Sequence, residues 1–239
     1  MINSHAGAVF RHEYKYFSTE VQRAVLKTKA NALLKKDVHS SESGGYRVRS
    51  LYFDNLYNRC YSENEAGVDN RDKYRIRIYD SNSNYILLEK KSKQRQMTLK
   101  TSCRISEEIC RKLMNREMIV LDDSMTAKQK QLLSELQYQG MRPVVIVDYM
   151  RYAYVEKNGN VRITFDENIS SSGEVTRFLE KDIVLRPVLD MGKGVVEVKW
   201  DELIPDYIKN HMQLENLQWS SFSKYFLCRK YNTYGGVRI

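Results

Sequence analysis

Proline is scarce in this sequence of 239 residues, with 3 in all, and its 11 glycines are scattered, so no Pro-rich or Gly/Ser-rich tract divides the chain. One domain over residues 1–239 is expected, of a size that needs neither disulfide nor structural metal to stand up. No run of 18 apolar residues occurs, which excludes a transmembrane helix. Met1 to Gly7 carry neither the basic nor the apolar stretch of an export signal. A soluble, cytoplasmic protein is expected. The four cysteines, Cys60, Cys103, Cys110 and Cys228, form no CxxC pair, and His5, His12, His39 and His211 show no metal spacing. A zinc site and a disulfide framework drop out, leaving reduced, partly buried thiols. Nucleotide signatures are missing too: Gly192-Lys193-Gly194 is too short for a P-loop, and no GxGxxG follows a strand. No Ser/His/Asp set is readable.

What the chain has in excess is positive charge, 39 Lys and Arg against 30 Asp and Glu for a net +9. Apolar spacing predicts helices from Ser18 to about Lys36, with Val21, Val25, Leu26, Leu33 and Leu34 inward, and from Ser106 with Glu107 and Glu108 in its first turn. Others follow Thr126 (Leu132, Leu133, Leu136), begin near Pro205 (Ile208, Met212), and run from Phe222 to Tyr231 before Gly235 and Gly236.

Between the helices lie about eight strands in which charge alternates with apolar residues. Phe10 to Tyr16 sets Arg11, Glu13 and Lys15 against aromatics, Tyr46 to Arg49 repeats the scheme, and Lys73, Arg75 and Arg77 alternate with Tyr74, Ile76 and Ile78. Leu88 to Lys91, the segment with Lys100 and Arg104, Tyr149 to Tyr152, Val161 to Asp166 and Val196 to Trp200 complete the set. Any one such strand reads as half-buried, with its charges in water. Together they hold Lys15, Arg47, Arg49, Arg75, Arg77, Lys91, Lys100, Arg151, Arg162 and Lys199 against only Glu13, Glu89, Asp166 and Glu197. Arginine predominates, and its planar fork suits phosphate oxygens.

Eight antiparallel strands closed into a barrel, helices packed outside, would turn these faces into a charged lumen, an α+β tunnel. Such a lumen needs a ligand or many waters to neutralise it, because unpaired buried charge costs several kcal/mol per ion, and a ligand there would be a polyanion. Glu13, Glu89 and Glu197 among the cations make sense as ligands for a divalent metal bridging phosphates. Asp166 fits either that role or an ion pair with Arg162 or another cation. Lys73 and Arg104, at the ends of their runs, stay outside the core set, and Asp54-Asn55 reads as a turn.

The ordered motifs Arg11-His12-Glu13-Tyr14-Lys15-Tyr16, Tyr46 to Asn55, Lys73 to Arg77, Leu88 to Lys91, Val161 to Asp166, Val196 to Lys199 and Phe222-Ser223-Lys224-Tyr225 span nearly the whole chain. It resembles the vacuolar transporter chaperone (VTC) domain, the polyphosphate polymerase branch of the triphosphate tunnel metalloenzymes. The resemblance implies a phosphotransferase that moves the terminal phosphate of ATP, or another triphosphate, onto a polyphosphate chain with manganese or magnesium. The ten cations above would hold phosphates, Ser223 and Lys224 would bind phosphate from the last helix, Glu197 would carry the metal, and Glu89 would support it. Two departures stand out: Ser221 replaces an expected basic residue, and Arg11 replaces the first acid of the related tunnel phosphatases.

A tunnel triphosphatase acting on inorganic or nucleoside triphosphate is the alternative enzyme, and a polyphosphate-binding module the non-catalytic one. Net +9 with 17 tyrosines also fits an RNA surface. The aromatics, however, mostly occupy the face opposite the cations, so no specific nucleic acid is expected.

Overall fold

The computed structural model describes residues 11–38, 40, 44–94 and 97–233; His5, Phe10, His39, Gly235 and Gly236 lie outside them. Strand β1 (His12–Ser18) leads into α1 (Glu20–Leu33), capped by Thr19, which exchanges hydrogen bonds with Gln22. The cap is thus one residue later than Ser18, and the helix buries Arg23, Leu26 and Ala30 while Val21 and Val25 stay exposed. After β2 (Lys35–Lys36) come β3 (Tyr46–Asp54) and α2 (Arg59–Glu65), a helix too short to show a period. Next are β4 (Arg71–Tyr79), β5 (Asn82–Gln94) and β6 (Met97–Ile105). Ser106 caps α3 (Glu107–Asn115) and Thr126 caps α4 (Ala127–Tyr138), as their spacing implies. Then follow β7 (Arg142–Glu156), β8 (Val161–Ser172), β9 (Arg186–Pro187), β10 (Gly194–Trp200), α5 (Asp206–Met212), β11 (Gln218–Trp219) and α6 (Lys224–Thr233).

The strands form one antiparallel sheet in the order β11-β1-β10-β8-β7-β3-β4-β5-β6, with β2 on β7 and β9 on β8. The sheet has eleven strands rather than eight: eight long ones as expected, plus β2, β9 and β11, whose two residues each are too few to alternate. It is not closed. A single bridge, Arg11 to Thr98, is where the β1 and β6 ends meet, with no ladder along the seam among the described residues.

Three cores hold the curl. On the convex side, α1 and α5 cover Tyr154, Ile163, Phe165, Val196 and Val198. Also outside, α3 and α4 cover Leu51, Phe53, Tyr74, Ile76, Ile78, Ile86 and Leu88. The third core lies on the concave side, where α6 and α2 pack on Tyr46, Val48, Tyr52, Val145, Val147 and Tyr149. Four helices therefore lie outside, as expected, while α2 and α6 occupy the inside at one end. The four cysteines are free and buried.

Candidate anion-binding tunnel

Directly paired residues of neighbouring antiparallel strands share a face, so the register fixes which charges look inward. Starting from Arg151, the pairs Arg151–Asp166, Thr164–Glu197, Arg162–Lys199, Lys199–Glu13 and Glu197–Lys15 carry one face across β7, β8, β10 and β1. In the other direction, Arg151–Tyr46, Tyr52–Arg75, Ser50–Arg77, Arg75–Glu89, Lys73–Lys91 and Lys91–Lys100 carry it across β3, β4, β5 and β6. This is the concave face.

Arg47 and Arg49 are not on it. They pair with Met150 and Asp148, on the convex side with Leu51 and Phe53. The two guanidinium Nε atoms share the Asp148 carboxylate at 2.7 and 2.8 Å, and Arg49, fully buried, also donates to the carbonyls of Phe178 and Glu180. The expectation that they hold phosphate in the lumen is corrected: Arg49 fastens the 178–180 segment to the sheet, and Arg47 shares its Asp148 partner. Ser50 and Tyr52, whose hydroxyls mark the other parity as the polar one, were the available signal.

Lys73 moves the opposite way. Instead of a solvated strand end it is half-buried on the concave face and donates to Ser223 Oγ at 2.9 Å and to Asn64 Oδ1. Asp54 is no turn residue either: fully buried, its carboxylate accepts from the Cys60 and Tyr61 N–H groups and from Tyr225 Oη at 2.6 Å, tying α2 and α6 to β3. Arg104 does lie at a rim, bonded to the Asn84 carbonyl.

The inward charges gather round four carboxylates. Glu13 takes Lys15 and Lys91 at 2.7 Å each and Lys199 at 3.7 Å. Burial opposes its ionisation, yet the three ammonium groups outweigh that and hold its pKa well below the usual range. Glu197 shares Lys199 with Glu13, at 3.0 Å, and has Arg151 at 3.5 Å; despite burial and the neighbouring carboxylate, its pKa is also lowered. Glu89 accepts from Arg75 and Lys100 at 2.7 Å each, with Arg77 at 3.7 Å. Asp166, fully buried, takes Arg151 through two bonds of 2.7 and 2.8 Å and also Lys224. Arg162 stands apart, against Asp37 and the Tyr46 hydroxyl.

Ten cations, Lys15, Lys73, Arg75, Arg77, Lys91, Lys100, Arg151, Arg162, Lys199 and Lys224, thus face Glu13, Glu89, Asp166 and Glu197. Lys91 records the crowding: burial, with Lys15 and Lys199 adding to it, overrides the attraction of Glu13 and brings its pKa from 10.5 to about 8. Tyr149 lies beneath two of the charges, with Arg151 at 5.2 Å and Lys224 at 5.0 Å from its ring centre.

The VTC domain model matches residues 10–232. The chain belongs to the VTC domain family. In fold, this VTC domain is similar to the Hippeastrum protein HpAC1, provisionally assigned as an adenylyl cyclase and found to have a dominant triphosphatase activity: 12% identity, TM-score 0.55, over 96% of this chain and 97% of that one. It is also similar to a provisionally assigned adenylate cyclase from Bacillus halodurans, at 13% identity and TM-score 0.50, over 87% of this chain and 90% of that one. At such identities the likeness is one of fold. The VTC domain has the triphosphate tunnel fold, with the sheet left open along one seam. No curated protein matches the chain. No helix among the described residues is long and apolar enough to cross a membrane.

Proposed function

We propose that this VTC domain is a metal-dependent polyphosphate polymerase, transferring the terminal phosphate of ATP onto a polyphosphate chain on the concave face. The observation that carries the reading is the excess of ten inward cations over five carboxylates, Asp37 of the Arg162 pair included, on a tunnel scaffold. One phosphoanhydride bond breaks in ATP as another forms at the chain end, with ADP leaving. The protein's part in such a transfer is to align acceptor and donor and to offset charge on the phosphoryl oxygens. Arg75, Arg77, Lys100, Arg151, Lys199 and Lys224 supply donors fixed in place by their carboxylate partners, so little reorganisation is needed when phosphate arrives.

Of the four candidate acids, Glu13 and Glu197 fit a divalent cation best, because from adjacent strands they approach one ammonium, Lys199, whose place such an ion would take. Among the described residues no three candidate metal ligands cluster, so phosphate oxygens and water would complete the shell, as hard cations such as Mg²⁺ accept. Bound there, such an ion supplies positive charge shared between neighbouring phosphate groups. Glu89 and Asp166 each bond a guanidinium at 2.7–2.8 Å, where the nearest groups on Glu13 and Glu197 are lysines, so this reading keeps them as anchors for Arg75 and Arg151.

The test is to incubate the protein with ATP labelled in its terminal phosphate, manganese or magnesium, and a short polyphosphate primer, and to separate the products on a gel. A ladder of polymer, lost in Lys199→Ala, is the expected result. Label appearing only as free phosphate would replace the polymerase by a tunnel triphosphatase. Tight binding without turnover would replace it by a polyphosphate-binding module.

A further inference from the structure

Among the ten inward cations, Lys73 alone has no carboxylate within ion-pair distance among the described residues; the other nine are each paired. Its ammonium donates only to neutral oxygens, Ser223 Oγ and Asn64 Oδ1, and stands 5.7 Å from the Tyr225 ring centre. Its strand partner is Lys91, whose own partner on β6 is Lys100, so three lysines run in a row across the sheet. Burial, then the charges of Lys15, Lys91 and Arg71, hold the Lys73 pKa well below the ordinary lysine range. A half-buried ammonium among like charges is stabilised chiefly by an anion from outside the chain. Ser223 also accepts the Phe226 N–H at the start of α6, so the positive end of that helix faces the same spot. Beyond Ser223 the concave face is filled by apolar contacts of α6 with Val48, Val145 and Val147, which offer a further phosphate no donor.

We propose that Lys73 and Ser223 form a subsite for the terminal phosphoryl group of a bound phosphate chain, Lys73 Nζ exchanging Asn64 for a phosphoryl oxygen. The subsite rests on the triphosphate reading above. Calorimetric titration with inorganic triphosphate, together with thermal unfolding, tests it on the full chain. Lys73→Met is expected to weaken binding about ten-fold or more, the effect of losing one charge-assisted hydrogen bond. Lys73→Arg should recover most of the affinity, and neither change should lower the unfolding midpoint, since the two hydrogen bonds that Lys73→Met loses are offset by relief of a buried charge among like charges. Unaltered affinity in Lys73→Met with a lowered midpoint would make Lys73 a strut between α2 and α6 and overturn the subsite alone. Absence of triphosphate binding in the unsubstituted protein would overturn the triphosphate reading and the subsite with it.

Discussion

Lys91 shows what a shared interior does to one side chain. Its ammonium lies 2.7 Å from a Glu13 oxygen, yet burial and the nearby Lys15 and Lys199 bring its pKa to about 8. The charge is present below that pH and lost above it, so triphosphate affinity should fall as pH rises through about 8. For folding the sign is opposite: between about 8 and 10.5 the unfolded chain holds this proton and the folded one does not, so this group adds stability as pH rises. Titrating binding between pH 7 and 9 checks the first statement, and Lys91→Arg, which keeps its charge, should flatten the profile. Most single residues of the tunnel were legible in the sequence because an alternating strand assigns a face to every charge. Lys73 shares its parity with Arg75 and Arg77 and was legible in the same way; what the sequence hid was α6 and α2 folding over the strand end to enclose it.

Strand β3 shows where alternation loses its meaning. It is buried along nearly its whole length, with α3 and α4 outside and α6 inside, so period two separates its faces without saying which is the lumen. Arg47 and Arg49 share their parity with Leu51 and Phe53, the parity of the outer core. Their partner Asp148 lies 99 residues from Arg49 in sequence, and no local pattern announces it. Asp148→Ala leaves the buried Arg49 guanidinium without its carboxylate, which should cost about 3–5 kcal/mol. Urea unfolding reads that loss, while triphosphate affinity of the folded protein should be unchanged because the pair faces away from the tunnel. An affinity loss at native stability would place Arg47 and Arg49 back in the binding machinery. The short elements α2, β2, β9 and β11 escaped the sequence reading for a plainer reason: seven residues or two make no period.

At the scale of the whole molecule, the sheet curls until Lys91 of β5 reaches Glu13 of β1, and the Arg11–Thr98 bridge marks the seam. Curling converts a surplus of charge spread over seven strands and α6 into one enclosed field, where low dielectric strengthens each contact with an anion. The same enclosure makes the free protein hold like charges together, a strain that a bound polyanion relieves. The most direct test is a structure of the protein with inorganic triphosphate bound. The account predicts phosphoryl oxygens against Arg75, Arg151, Lys199 and Lys224 on the concave face. Triphosphate bound instead on the convex side at Arg47, with the concave face bare at saturating concentration, would contradict it.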